Sequence, residues 1–131
     1  MKKKQEKKIK KYWLQDSGIY QPETFMFFGM DKKEISKVLK RYSETEQLID
    51  TINKDDWDFG GMVLEADNKK RALIMPEFRD EWRYWDMLLH EVHHLTLYLG
   101  KQFGFVEEFE ASAYLFGYLF TKIRRRLYNE C

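Results

Sequence analysis

This chain of 131 residues has little cysteine, no long apolar run and only three histidines. Its one cysteine, Cys131, is the last residue and cannot form an internal disulfide, so the fold owes nothing to disulfides and a reducing, cytoplasmic setting is expected. No apolar stretch approaches the roughly 18 residues that span a bilayer. The start, MKKKQEKKIKKYW, is basic with no apolar segment after it, so neither a membrane contact nor a secretory leader is expected. There is no internal repeat and no low-complexity linker. Aromatic side chains, in contrast, are plentiful, at 17% of residues within a hydrophobic share of 44%. That is the composition of one globular domain with bulky rings in its core.

The net charge of +1 conceals a division. Residues 2–11 hold seven lysines and one glutamate, and taking their +6 away leaves the rest of the chain at −5. Residues 1–12 are therefore expected to be a disordered, solubilising tail, and residues 13–131 a single acidic domain. A tail of this charge can also touch nucleic acid, and the basic run Lys122, Arg124, Arg125 and Arg126 could join it. That second run equally suits the last turn of a helix.

Local patterns predict the order strand, helix, hairpin, helix, helix, an α+β domain with a small antiparallel or mixed sheet. ETFMFF (23–28) reads as a strand. Asp31 is an N-cap for a helix in which Ile35, Val38, Leu39 and Tyr42 recur at helical spacing. Leu48, Ile49 and Ile52 can form a further short helix. GMVLEA and RALIMP flank Asp67-Asn68-Lys69-Lys70 as a hairpin, with Pro76 ending the second strand. A long helix is expected over about 80–99, leaving through Gly100 and Gly104, and another over about 106–127.

All three histidines fall in HEVHH, residues 90–94, on the first long helix. Trp85, Leu88, Leu89, Val92, Leu95, Thr96 and Leu99 form its core stripe. His90 and His94 lie roughly opposite that stripe and one turn apart. A histidine on a helix is ordinarily a packed core residue or a solvated surface one. The core reading fails off the stripe, and the surface reading leaves the neighbouring glutamate unexplained. H-E-x-x-H has a chemical logic: two imidazoles at i and i+4 reach one Zn2+ ion, and Glu91 stands where it can take a proton from activated water. His93 is outside the pattern and reads as structural.

A third protein ligand is needed, and with no fourth histidine it is expected to be a carboxylate. Glu107, Glu108 and Glu110 open the second long helix, off a seam of Val106, Phe109, Ala113, Phe116, Phe120, Ile123 and Leu127. Glu110, Tyr114, Gly117 and Thr121 share a flank that is expected to face the first helix, with Gly117 permitting close approach. Glutamates at a helix start usually just complement the dipole, which covers Glu107 and Glu108 better than Glu110.

HEVHH, a short glycine-containing loop and then EASAYLFGYL together resemble the small zinc metallopeptidases of the gluzincin type. Those combine H-E-x-x-H with a glutamate in E-x-x-A on the next helix, here Glu110-Ala111-Ser112-Ala113. The similarity is closest to short metallopeptidase-like proteins of bacteriophages and covers roughly residues 60–120. It implies a minimal zincin-like fold, one Zn2+ held by His90, His94 and Glu110, Glu91 as general base, and a host-cytoplasmic or virion location. Zincins also resemble one another in binding peptide along an edge strand, and Arg71–Met75 is the candidate here. Tyr114, one turn after Glu110, is a candidate oxyanion donor, with packing between helices as the plainer role.

Two functions compete. One is peptide-bond hydrolysis on a peptide or protein substrate. The other is a non-catalytic structural or assembly role on the same scaffold, through protein contacts at surplus aromatics such as Trp57, Phe59, Phe78, Trp82 and Tyr84. A nucleic-acid role rests on the lysine tail alone.

Overall fold

The structure is a computed structural model that describes residues 10–18, 23–56, 60–105 and 107–128. Its elements are β1 (Lys11–Gln15), β2 (Thr24–Phe28), α1 (Lys32–Leu39), α2 (Glu46–Lys54), β3 (Met62–Glu65), β4 (Arg71–Met75), α3 (Trp82–Phe103) and α4 (Phe109–Leu127). The strands form one mixed sheet in the order β1-β2-β4-β3. β1 and β3 run antiparallel to their neighbours, and β2 and β4 pair in parallel. The expected α+β class and the hairpin are both present. β1 is an addition that takes in Lys11 and Tyr12 from the expected tail; residues 1–9 lie outside the described residues.

β2 and β4 are buried along their whole length. Their side chains alternate between two cores. Phe25, Phe27, Ala72 and Ile74 meet Ile35, Val38, Leu39, Leu48 and Ile52 of α1 and α2. Met26, Phe28, Leu73 and Met75 meet the buried stripes of α3 and α4. Two-sided burial explains why both strands read as unbroken apolar runs. It also corrects one expectation: Arg71–Met75 is an interior strand, not the edge on which a peptide could add. The free side of the hairpin belongs to β3.

Local chemistry sets the helix ends. Asp31 caps α1 in a reciprocal box, accepting the Glu34 N–H at 2.8 Å while the Glu34 carboxylate accepts the Asp31 N–H at 3.2 Å. α3 runs a turn longer than expected, through Gly100, and stops at Gly104, whose φ of 76° suits a residue without Cβ. The predicted stripe of α3 holds: Leu88, Val92, Leu95, Thr96 and Leu99 are buried, and Trp85 and Leu89 half-buried. Phe78 and Tyr84, expected as interface candidates, are core residues instead. Tyr84 is buried, and Phe78 packs edge-on against Tyr84, Trp85 and Tyr128. Trp82 is 71% exposed, while Trp57 and Phe59 lie outside the described residues.

α4 starts at Phe109, and its buried stripe is Leu115, Leu119, Ile123 and Leu127. The expected seam was turned too far. Phe109 is 88% exposed and Ala113 is exposed; Val106 lies outside the described residues. The helix carries two adjacent apolar stripes. The sheet takes the leucines, whereas Phe116 and Phe120 look sideways to α3, near His93 and Trp85.

β1 is tied to α4 by a polar latch. The Tyr118 hydroxyl donates to Asp16 Oδ1 at 2.6 Å, and the Gly18 N–H donates to the same oxygen at 3.0 Å. The Tyr118 hydrogen bond, then the Gly18 N–H, hold the Asp16 carboxyl below its ordinary range. Stability from a depressed carboxylate is present above the unfolded pKa near 4 and is lost as pH falls through the folded value. Tyr118→Phe is thus expected to cost about 1 kcal/mol at pH 7 and almost nothing near pH 2, in urea titrations at both pH values.

Candidate metal centre

α3 carries His90, Glu91 and His94 at the edge of its buried face. The two imidazoles are exposed, and their Nε2 atoms stand 3.0 Å apart, with the rings at 70°. Two nitrogens on one tetrahedral zinc at about 2.05 Å would be about 3.3 Å apart. The pair is therefore spaced as two ligands of one zinc ion would be, to within about 0.3 Å. The same spacing also suits one imidazole donating to the other, depending on the tautomers.

Glu91 is 8% exposed. Its cover is the backbone that leads into β3: a Cβ on Gly61 would approach Glu91 Cγ to 3.3 Å, and one on Gly60 would collide with Met87 Sδ. Two glycines let this segment lie against α3, a role for which Gly-Gly before a strand was the available sequence signal. Burial pushes the Glu91 carboxyl above the usual range, and the charges of His90 and His94 act against that. No hydrogen bond to its carboxylate occurs among the described residues. A carboxyl with a raised pKa beside two imidazoles can serve as a proton acceptor and donor.

The second long helix does not complete this set. α4 packs on the other flank of α3. The His93 ring is 6.5 Å from Phe116, and Trp85 is 5.9 Å from Phe120. Phe116 stands level with His93, so Glu110, six residues earlier on an antiparallel helix, lies about 9 Å further along. Glu110, Tyr114, Gly117 and Thr121 do share a flank, but all four are exposed, and that flank is turned away from α3. No atom would meet a Cβ at Gly117 within 4 Å, so the close approach expected there does not occur. Glu107 and Glu108 are also exposed. Among the described residues, no three His, Cys, Asp or Glu side chains converge as a metal site.

Tyr114 stacks on Tyr118, whose hydroxyl is held by Asp16 beyond β1. It is therefore on the β1 side of the molecule, whereas the histidine pair flanks the segment entering β3, the opposite edge of the sheet. No helix among the described residues is long and apolar enough to cross a membrane. Comparison with known families, curated proteins and solved structures finds no match to this chain.

Proposed function

We propose that the chain is a zinc-dependent metallopeptidase of minimal zincin-like type, acting on a peptide or protein substrate. The observation that carries this reading is the closeness of the His90 and His94 Nε2 atoms, 3.0 Å apart, beside the sheltered Glu91 side chain. The donor set suits zinc: two imidazole nitrogens favour a borderline ion over magnesium or calcium. His90 and His94 would hold it, and Glu110 is the carboxylate that the resemblance designates as third ligand. Its participation requires the first turn of α4 to leave the position it has here. A bound zinc ion supplies Lewis-acid polarisation of a carbonyl and acidifies water. Glu91 takes the proton from the attacking water and returns it to the leaving amine nitrogen. The backbone at Gly61 covers one side of its side chain.

A specific observation supports the second reading, a non-catalytic assembly role. Phe109 and Tyr114 are 88% and 61% exposed on α4, and Trp82 is 71% exposed at the start of α3. Large exposed rings of this kind suit protein contacts.

Elemental mass spectrometry of the purified chain tests the metal site that the first reading requires; the assembly reading holds with or without zinc. About one zinc per chain, lost in His94→Ala, is the expected result. A well-folded chain that takes up no zinc when it is offered leaves the assembly reading.

A further inference from the structure

The two basic runs of the sequence meet in space. Lys11 Nζ donates to the backbone carbonyls of Arg126 at 2.8 Å and Leu127 at 3.0 Å, which joins β1 to the last turn of α4. A groove of about 730 Å³ runs beside that contact, lined by all of β1 and by Lys10, Asp16, Lys122, Arg125 and Arg126. Its charged lining is thus five cations against one carboxylate. That carboxylate, Asp16, is already engaged by Tyr118 and Gly18.

The cations are differently held. Arg125 is exposed and makes no ion pair among the described residues. Arg126 lies over the Trp13 ring at 5.8 Å, and Lys122 over the Tyr118 ring at 5.6 Å. A ring face attracts a cation without using up its N–H donors. Lys10 pairs with Glu34 at 2.6 Å, but both ends are open to water, so the pair is easily exchanged. Tyr12, 45% exposed with its hydroxyl accepting from Arg41 at 3.4 Å, lines the same groove from the other face of β1. Trp13 is stacked on Phe28 at 5.2 Å, which stiffens the floor.

We propose that this groove binds the backbone of a single-stranded nucleic acid, with Lys122, Arg125 and Arg126 on phosphates and Tyr12 stacked on a base. Cations along one side of a groove and an exposed ring on the other are the chemistry of single-strand binding. Lys10 and Lys11, with which the lysine run of the sequence ends, add their charge to the groove along β1. That suits a polymer with a charge on every unit better than a short acidic peptide. A duplex would overlie the rest of a chain whose charge outside that run is −5.

Fluorescence anisotropy of a labelled 15-nucleotide oligothymidylate with the full chain tests this. Binding at 50 mM salt is expected, weakening as salt rises. The double variant Lys122→Glu/Arg125→Glu is expected to bind at least tenfold more weakly, with a log–log salt slope shallower by about 1.4 for two lost phosphate contacts. Tyr12→Ala is expected to weaken binding about tenfold. All three positions are on the surface, and an unchanged melting temperature verifies each variant. No binding at 50 mM salt would overturn the proposal. So would wild-type affinity in the double variant, which would place all binding in the lysine tail. Tighter binding of a polyglutamate peptide, or of a 15-base-pair duplex, would overturn the single-strand assignment. Wild-type affinity in Tyr12→Ala would overturn the stacked base.

Discussion

Glu91→Gln is expected to retain about one zinc per chain and to lose peptide hydrolysis by about 10²–10⁴-fold, the usual contribution of a positioned general base. The substitution keeps the shape of the side chain and removes only its ability to take a proton. Shape matters here because Glu91 is nearly enclosed, with Gly61 against its Cγ. Glutamine should fit the same space without displacing α3. It also makes the group neutral, and since burial already disfavours the charged carboxylate, the variant should be at least as stable as the parent. Zinc content, melting temperature and turnover of a peptide mixture, measured on one preparation, separate the roles. Wild-type turnover in Glu91→Gln would remove Glu91 as the base. Loss of zinc with turnover would instead make Glu91 part of what holds the metal.

The largest expected stability effect lies away from that centre. Arg71 opens β4 fully buried, opposite Glu65 on β3. Its Nε donates to Glu65 Oε2 at 2.6 Å, and its Nη2 donates to Gln102 in the last turn of α3. Nη1 has no partner. The guanidinium is already one acceptor short, so its charge depends on Glu65. Glu65→Ala is expected to cost about 3–5 kcal/mol, the usual penalty for leaving a buried charge unpaired. That is a large part of the roughly 5–15 kcal/mol that holds a domain together. Arg71→Met removes the charge and keeps the length, and is expected to cost far less, about 1 kcal/mol or below. The double variant should therefore be more stable than Glu65→Ala alone. Urea midpoints of the three variants give the comparison. If Glu65→Ala costs under about 1 kcal/mol, water reaches the guanidinium and the pair behaves as a surface bridge.

Much of this architecture follows from short-range chemistry. Asp31 and Glu34 specify the start of α1 because a capping box needs only residues three apart. Gly104 specifies the end of α3 because only its own φ is at issue. The core stripe of α3 and the placement of His90 and His94 off it follow from helical period alone, as does the closeness of the two imidazoles. β1 was harder to see: KYWLQ follows directly on the lysine run, and it is partly buried on both faces, so no clean alternation marks it.

Other features depend on which surfaces meet. β4 is interior because β2 pairs along its other side, and no pattern within RALIM names its partner, although its unbroken apolar character did carry a sign of two-sided burial. α4 offered two apolar stripes, and only the sheet above it decided that the leucines face inward while Phe109 and Ala113 stay out. That rotation carries Glu110 and Tyr114 away from α3. The sequence by itself determined the two-histidine face and the glutamate beside it, since residues one turn apart on a helix are neighbours whatever else the chain does. The tertiary structure alone decided what surrounds that face and that lysines near residue 10 meet arginines near residue 126, because such contacts depend on the docking of whole elements and leave no trace in local period.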